Sequence, residues 1–339
     1  MSRPRLLALA VAAVAVSIAL AAAAPAQQRP ATPPALGASG GSEASTGETV
    51  SPTPSFAVGL RVLRLLDRSR TIKLKDGRSE PRTLVTYVRY PALGAPGQAD
   101  IPNAEPAIAG GPYPLVVFGH GFAVTPALYT SLLRSWASAG YVVAAPVFPL
   151  GSADAPGGPD EADVVNQPRD MSFVITSLLS LSRPDAGPLA GLVDPERIAV
   201  AGHSDGGETA LAVAYSRRFH DPRVDAAVIL SGAEMSGVGG YRFTPGSPPL
   251  LAAQGTEDMF NEPKYTNAYF ELAQRPKFLL RLLGAGHLPP YTDQQPQLAI
   301  VERVTTAFLD SYLEHQSGAL QRLVSLGGVA GTSTLVAEP

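Results

Sequence analysis

The stretch Arg197-Ile-Ala-Val-Ala-Gly-His-Ser-Asp-Gly-Gly-Glu-Thr-Ala210 decides the fold. Its apolar run, Ile198 to Ala201, predicts a buried strand. The run stops at Gly202-His203-Ser204-Asp205-Gly206, and a segment of small residues with helical character follows. G-x-S-x-G between a strand and a helix is typical of a nucleophile elbow, a sharp turn that exposes a serine hydroxyl. A glycine-rich turn with an incidental serine is the alternative, so the rest of the chain must supply partners for Ser204.

The segments on either side of this stretch alternate between strands and helices. Apolar runs predict strands over residues 58–66, 83–90, 113–118, 141–145, 197–201, 224–230, 250–254 and 278–283. Helical spacing predicts helices over 125–139, 170–181, from 207, 263–273 and 297–313, the first with one face made of Leu128, Leu132, Leu133 and Trp136. This alternation predicts an α/β fold: a mostly parallel central sheet with helices on both faces, and the first two strands as its antiparallel edge. After residue 318 we expect a terminal helix and a frayed tail.

A candidate base and a candidate acid follow Ser204 in the chain. Among the five histidines, His287 lies in a glycine-rich loop directly after the last predicted strand. A parallel sheet places its site at that end of its strands. Glu257 and Asp258 follow the preceding strand, and their position alone does not choose between them. The chain order is therefore Ser, then Asp or Glu, then His.

A second group of residues can hold the negative oxygen that an attack by Ser204 would create. Val116-Val-Phe-Gly-His-Gly-Phe122 places a tight turn after an early strand. The backbone N–H of Phe122 can therefore converge with that of Asp205 on a carbonyl oxygen. We expect His120 to shape this turn by hydrogen bonding, and His203 to point away from Ser204. The remaining histidines, at 220 and 315, are expected to be solvated.

Composition excludes several classes of function. The net charge is −3, the pI is about 6.0 and no basic block occurs, which argues against a nucleic-acid partner. The absence of cysteine excludes a disulfide scaffold, a thiolate nucleophile and thiolate metal sites. The acidic loop from Asp154 to Asp163 could hold Ca²⁺, but it lacks an EF-hand pattern, so a solvated loop is the preferred interpretation. No metal or organic cofactor is implied.

The N-terminal residues predict export. Arg3 and Arg5 precede an apolar run, residues 6–24, and Ala24-Pro25-Ala26 resembles a cleavage site, so residues 1–26 read as a signal peptide. An uncleaved membrane anchor is the competing interpretation, although no second span follows. Residues 27–55, rich in Pro, Ala, Gly, Ser and Thr, predict a disordered linker. We therefore expect a secreted protein with no membrane span after cleavage, a catalytic domain over 56–317 and a C-terminal extension over 318–339.

From about Val58 to Leu313 the chain resembles the α/β-hydrolase superfamily. In detail it resembles exported dienelactone-hydrolase-like and platelet-activating-factor-acetylhydrolase-like esterases, with cutinase-like polyester hydrolases in the same neighbourhood. The segments that carry the resemblance are Tyr90-Pro-Ala, Pro114-Leu-Val-Val-Phe-Gly-His-Gly-Phe122, Gly140-Tyr-Val-Val-Ala-Ala-Pro146, Asp194-Pro-Glu-Arg-Ile-Ala-Val-Ala-Gly-His-Ser-Asp-Gly-Gly207, Gly255-Thr-Glu-Asp258 and Gly286-His287.

The resemblance implies a role for each candidate residue. Ser204 would be the nucleophile, His287 the base, and Asp258 the acid, because the family spacing Gly-Thr-x-Asp ends on it. Phe122 and Asp205 would supply the oxyanion N–H groups. The carboxylate of Asp205 is a departure, since many relatives carry an apolar or neutral polar residue there. It could disfavour anionic substrates or simply serve the helix N-terminus.

Together these features indicate a serine carboxylic-ester hydrolase that works through an acyl-enzyme intermediate. The connection between Leu230 and Leu250 is too short for a helical cap domain, so we expect an open site. Such a site suits a small ester or the surface of a bulky or polymeric ester. Acyl transfer or peptide hydrolysis on the same triad stays open, because the sequence does not identify the acceptor. A hydrolase-like binding protein without activity is the alternative from another class, although such proteins commonly lose a triad member.

Overall fold

One sheet of ten strands organises residues 56–339, the part of the chain that this computed structural model describes. The predicted signal peptide, 1–26, and the predicted linker, 27–55, lie outside the described residues. The strands are β1 (Ala57–Lys73), β2 (Ser79–Ala92), β3 (Asp100–Pro102), β4 (Tyr113–Gly119), β5 (Val142–Pro146), β6 (Val193–His203), β7 (Ala226–Leu230), β8 (Leu250–Gly255), β9 (Lys277–Leu282) and β10 (Ser333–Glu338). Their order in the sheet is β10-β9-β8-β7-β6-β4-β5-β2-β1-β3.

The centre of the sheet is parallel, an antiparallel strand joins it on each side, and β3 pairs in parallel with β1 at the outer edge. Strands β9, β8, β7, β6, β4 and β5 run parallel to their neighbours. The hairpin of β1 and β2 joins β5 in the antiparallel sense, and β10 joins β9 in the same sense at the opposite side. The predicted mostly parallel sheet with an antiparallel first hairpin is therefore confirmed. The carboxyl ends of the parallel strands share one edge, where sites of such sheets form.

Within residues 56–339, six α-helices cover the two faces of the sheet. They are α1 (Thr130–Ser138), α2 (Gln167–Leu181), α3 (Asp205–Tyr215), α4 (Pro263–Leu272), α5 (Gln297–Tyr312) and α6 (Ala319–Gly327). Helices α2, α3 and α4 pack on one face, and α1, α5 and α6 pack on the other. In β4, Leu115 and Val117 face the first layer while Val116 and Phe118 face the second. A strand buried on both faces needs apolar side chains at every position, which explains the continuous apolar runs of the sequence.

The helix predicted over 125–139 begins differently from the prediction. Its first turn, Pro126–Tyr129, is a 3-10 helix, and α1 starts only at Thr130. Leu132 and Trp136 are buried as predicted, but Leu128 is 47% exposed. A 3-10 turn has three residues per turn rather than 3.6, so it rotates Leu128 off the buried face.

The C-terminal extension contains the expected helix, α6, but the expected frayed tail is wrong. Residues 333–338 form β10, which pairs with β9 from Ser333 opposite Leu282 to Glu338 opposite Lys277. Leu335 packs against the core on one face of the sheet and Val336 against the core on the other. Pairing with β10 covers the backbone groups that β9 would otherwise leave open at the edge of the sheet. The apolar run Leu335-Val336-Ala337 was too short to predict this strand.

The acidic loop is not the uniformly solvated segment that we expected. Asp154 and Asp160 are exposed, but Asp163 is buried and accepts two hydrogen bonds from Arg82, at 2.9 and 2.6 Å. Arg82 also donates two bonds to buried Asp170, at 2.7 and 2.6 Å. The network explains the burial, since a charged side chain enters a core only with a partner. It ties β2 to the start of α2.

The connection from β7 to β8, residues 231–249, contains neither a helix nor a strand, in agreement with the expected lack of a cap domain. Among residues 56–339, the helices are all too short or too polar to cross a bilayer. Above β7, the edge formed by the carboxyl ends of the parallel strands is therefore covered by loops only.

Candidate active site

Ser204 occupies a strained turn between β6 and α3. Its backbone has φ 55° and ψ −124°, a positive φ that a residue with a Cβ adopts only where the surrounding structure enforces it. The enforcement comes from close packing of strand and helix. A Cβ on Gly202 would collide with the carbonyl group of Gly206, and a Cβ on Gly206 with the carbonyl group of Gly119. The turn leaves the Ser204 side chain partly exposed.

His287 and Asp258 continue from Ser204 as one chain of hydrogen bonds. Oγ of Ser204 lies 2.8 Å from Nε2 of His287, and Nδ1 of His287 lies 2.7 Å from Oδ2 of Asp258. Since an ionised carboxylate only accepts, Nδ1 carries the imidazole hydrogen and Nε2 is free to accept the serine hydroxyl hydrogen. His287 follows β9 and Asp258 follows β8, so two neighbouring parallel strands deliver both side chains to the same edge.

The carboxylate that contacts His287 is Asp258 and not Glu257. The Asp258 side chain is fully buried and accepts the backbone N–H groups of Phe260 and Asn261, at 2.9 and 3.0 Å. Glu257 is exposed. Burial by itself would raise the pKa of Asp258, but the hydrogen bond and charge of His287 outweigh it and lower the pKa below its ordinary value. Asp258 therefore stays ionised at neutral pH.

A residue that was not predicted from the sequence also holds Asp258. Gln254, buried in β8, donates to Oδ2 of Asp258 at 3.2 Å and to the carbonyl oxygen of Asn261 at 3.1 Å. Its own oxygen accepts from Thr266 at 2.6 Å. The available signal was an amide side chain inside the apolar run 250–255, because a buried amide is expected to be hydrogen-bonded.

The loop after β4 passes directly beside Ser204. A Cβ placed on Gly121 would lie 3.3 Å from Cβ of Ser204. Among residues 56–339, no backbone acceptor outside the helices and strands binds the N–H of the next residue, Phe122. The N–H of Asp205, at the first position of α3, has no acceptor within its own helix. The predicted oxyanion donors therefore belong to two segments that adjoin the serine, the start of α3 and the loop after β4.

His120 bonds as predicted. Its Nδ1 donates to the carbonyl oxygen of Gly121 at 2.7 Å, and its Nε2 accepts the N–H of Phe148 at 3.0 Å. Burial lowers the pKa of His120 to about 4, so the ring is neutral and can make both bonds. His220 and His315 are exposed, as expected.

His203 has contacts that the sequence did not predict. Its ring is directed to Tyr129 and to the backbone of His287, in keeping with the expected orientation away from Ser204. Nδ1 of His203 lies 2.8 Å from Oη of Tyr129, and Nε2 lies 2.8 Å from the carbonyl oxygen of His287. Burial lowers the pKa of His203 to about 3, which keeps the ring neutral. The site thus contains a second histidine, His203, which is buried and contacts His287.

Two acidic side chains near Ser204, Asp205 and Glu208, form no ion pair with a lysine or arginine within residues 56–339. Asp205 is 8% exposed, and its Oδ2 has no hydrogen-bond partner in the described part of the chain. Burial and the charge of Glu161 raise the pKa of Asp205 to about 6. Burial and the charges of Asp205 and Glu161 raise the pKa of Glu208 to about 8. Negative charge on Asp205 would repel an anionic substrate, which is the first of the two roles given above for this residue.

Two apolar side chains stand in the solvent next to the base. Met259 and Phe260 follow Asp258 and are 88% and 79% exposed. The Phe260 ring centroid lies 5.3 Å from that of His287. Large apolar side chains this exposed beside a site commonly contact an apolar ligand.

A hydroxyl, a base in the correct tautomer and an orienting carboxylate, with backbone N–H groups on the adjoining segments, can together carry out acyl transfer. No cluster of three or more metal-binding side chains occurs within residues 56–339. The mostly parallel sheet, the elbow after β6 and the order of the site residues place the chain in the α/β-hydrolase superfamily of esterases.

Comparison with known proteins leads to esterases of this superfamily. A family model for chlorophyllases matches residues 101–239, a range that includes Phe122 and Ser204 but not Asp258 or His287. Chlorophyllase-2 of Arabidopsis thaliana is 28% identical over 42% of this chain and 41% of its own length. Chlorophyllase-1 of the same plant is 31% identical over 40% of this chain and 39% of its own length. The chain thus matches about two fifths of the length of these curated relatives.

The solved structure of a ferulic acid esterase from Streptomyces cinnamoneus extends the comparison. It superposes with a TM-score of 0.59 and 25% identity, over 79% of this chain and 93% of the esterase. The similarity in fold therefore reaches well beyond the range matched by the chlorophyllase family.

Proposed function

We propose that this protein is a serine carboxylic-ester hydrolase in which Ser204, His287 and Asp258 form the catalytic triad. The observation that carries the proposal is the unbroken hydrogen-bond chain of 2.8 and 2.7 Å from the Ser204 hydroxyl through His287 to Asp258. The esterases among its relatives support the same chemistry. A binding protein without activity would have no need to keep Ser204 in a strained turn.

The proposed reaction has two halves. His287 takes the hydroxyl hydrogen of Ser204 at Nε2 while Oγ attacks the ester carbonyl carbon. The N–H groups of Phe122 and Asp205 stabilise the oxyanion, and the alcohol leaves with the hydrogen returned by His287. Water, activated in turn by His287, then hydrolyses the acyl-enzyme and releases the acid. Asp258 remains ionised and stabilises the imidazolium form of His287 in both halves.

We further propose that the substrate is a neutral ester with a bulky apolar group. The site lacks a cap over residues 231–249, and the exposed side chains of Met259 and Phe260 offer an apolar surface beside His287. The carboxylate of Asp205, whose pKa is raised only to about 6, opposes negative charge on the substrate at neutral pH. A polymeric ester is one substrate of this class, because an open site accepts a chain that extends past it.

An assay of p-nitrophenyl esters of increasing acyl length, with and without an alcohol acceptor, tests this proposal. We expect hydrolysis to be lost in Ser204→Ala and retained in Ser325→Ala, which changes an exposed serine of α6. A fluorophosphonate should label Ser204, as located by mass spectrometry. Turnover by Ser204→Ala close to that of the wild type would disprove the assignment. Ester formed faster than free acid in the presence of the alcohol would identify an acyltransferase instead.

We also propose that the protein is exported, with the mature chain starting near Gln27. Support comes from the sequence: Arg3 and Arg5, the apolar run 6–24, and the small residues Ala24 and Ala26. N-terminal sequencing of secreted material tests the site of cleavage. A full-length protein that stays with the membrane fraction would show that residues 6–24 are an anchor.

A further inference from the structure

One buried imidazole connects three segments around Ser204. His203, at the end of β6, lies 2.8 Å from the carbonyl oxygen of His287 through Nε2. Its Nδ1 lies 2.8 Å from Oη of Tyr129, and that oxygen lies 3.3 Å from the backbone nitrogen of Gly121. His203 thus joins the elbow directly to the loop that follows β9. Through Tyr129 it also joins the elbow to the loop that follows β4.

The chemistry of the groups sets the direction of each bond. A carbonyl oxygen only accepts, so Nε2 of His203 carries the hydrogen and donates it to His287. In the neutral ring Nδ1 then accepts, which makes the hydroxyl of Tyr129 the donor. The same hydroxyl oxygen accepts the N–H of Gly121. Every donor and acceptor of the two side chains has a defined partner.

The surroundings leave this network little freedom to rearrange. His203 is 2% exposed and Tyr129 is fully buried. The His203 ring centroid lies 4.6 Å from that of His287 and 5.1 Å from that of Tyr291. A buried, fully satisfied network specifies one arrangement, because any lost partner leaves an unpaired polar group in the interior.

We propose that His203 is a positioning residue that, together with Tyr129, fixes the backbones of His287 and Gly121 on either side of Ser204. The inference rests on the proposed function, since the segments it holds are those of the base and of the oxyanion N–H. His203 acts through the His287 carbonyl and the Tyr129 hydroxyl and contacts no reacting atom. A shift of about 1 Å in such a segment can cost about 100-fold in rate.

Four variants separate positioning from simple filling of space. His203→Phe keeps an aromatic ring and removes both hydrogen bonds. His203→Gln keeps an N–H that can reach the carbonyl oxygen of His287. Tyr129→Phe removes the bonds to Gly121 and to Nδ1 of His203, and it keeps the bond from His203 to the carbonyl oxygen of His287. His220→Phe is the matched control, because His220 is exposed and lies beyond the C-terminal end of α3, whereas Ser204 precedes its N-terminal end.

We expect kcat of His203→Phe to fall about 100-fold, with KM within about two-fold of the wild type, because the ester-binding surface is unchanged. His203→Gln should recover at least about ten-fold of this loss, and Tyr129→Phe should lose about ten-fold. His220→Phe should match the wild type. A kcat of His203→Phe within about two-fold of the wild type would overturn the inference. If His203→Phe does not fold, an unchanged kcat in Tyr129→Phe would do the same.

A measurement without substrate separates this inference from the proposed function. Nitrogen-15 NMR of the wild type should show a neutral histidine with hydrogen on Nε2 whose Nε2 signal is lost in His203→Gln. A wild type that neither hydrolyses esters nor reacts with the fluorophosphonate at Ser204 would overturn the proposed function and leave that signal in place. A spectrum with hydrogen on Nδ1 of His203 would overturn the bond to His287, whatever the activity.

Discussion

Oδ2 of Asp258 lies 2.7 Å from Nδ1 of His287, while its neighbour Glu257 points into solvent. Glu257 lies in the turn that directly follows β8 and is exposed, so only Asp258 reaches the imidazole. Asp258 is also held by two backbone N–H groups, which restricts it to one orientation.

We expect Asp258→Asn to lower kcat by about 10⁴-fold, the loss given by the equivalent substitution in chymotrypsin-type proteases, because the amide stabilises the wrong histidine tautomer. Glu257→Gln should change kcat only a few-fold. Steady-state kinetics on a p-nitrophenyl ester, with folding matched by circular dichroism, checks both. The reverse order of the two losses would assign the acid to Glu257.

The partly buried carboxyl of Glu208 should make stability depend on pH. Its pKa is raised to about 8, above the ordinary value of 4.5, because of burial and the nearby carboxylates. Between these two pH values the folded state binds more protons than the unfolded state, so this group destabilises the fold progressively as the pH rises. Glu208→Gln removes that effect and should raise Tm by roughly 2–4 °C at pH 9, equivalent to about 1 kcal/mol, with no change at pH 4.5.

Thermal unfolding at both pH values tests this effect of Glu208. Glu105→Gln, which changes an exposed carboxyl outside the site, is the control and should leave Tm unchanged. An equal gain for Glu208→Gln at pH 4.5 and pH 9 would mean that its carboxyl does not titrate in this range.

The buried ion pairs of Arg82 should matter far more than those on the surface. Arg82→Met leaves Asp163 and Asp170 buried without their shared partner, so we expect a loss of about 3–5 kcal/mol in the free energy of unfolding. The loss should be smaller at pH 5 than at pH 8, because burial raises the pKa of Asp170 and protonation of this carboxyl relieves the unpaired charge. Urea denaturation measures both. Arg78→Met, which removes an exposed arginine paired with Asp76 and Glu80, should cost less than about 1 kcal/mol.

The exposed ring of Phe260 should favour esters with long acyl chains or bulky alcohols. Phe260→Ser removes a ring that is 79% exposed in the free protein and is available to an apolar substrate group. We expect KM for a p-nitrophenyl octanoate to rise about ten-fold, with KM for the acetate unchanged, as the loss of about 1.4 kcal/mol of apolar burial predicts. Leu272→Ser, at an exposed leucine on the far end of α4, is the control. An equal change in KM for both esters would show that the ring does not contact the acyl chain.

The parts of the site that form within one short stretch of chain could be predicted from the sequence. The elbow at Ser204 follows from an apolar run, two glycines and a helical segment, and all of these act within ten residues. The loop positions of Phe122, Asp258 and His287 follow from the rule that sites lie at the carboxyl ends of parallel strands. Those elements needed no knowledge of which strands are neighbours in the sheet.

Contacts between distant segments were not accessible in the same way. The bond from His203 to the backbone of His287 depends on the position of β6 and β9 in the sheet, where β7 and β8 lie between them, and no pattern in the sequence predicts this order. The burial of Asp163 depends on Arg82, some eighty residues earlier, and the strand β10 depends on an open edge at β9. In each case a distant segment supplies the partner of a group that its local sequence predicts to be solvated or unstructured.

At Ser204 the side chain that the proposed reaction needs also lowers the stability of the folded state. A glycine at 204 would adopt φ 55° and ψ −124° without the cost, of order 1–3 kcal/mol, that a side chain there carries. Under the proposed chemistry, the variant that best tolerates heat at this position is also one that cannot react. Directed evolution for heat resistance without a parallel requirement for turnover should therefore accumulate glycine at 204, and screens of this protein need both pressures at once.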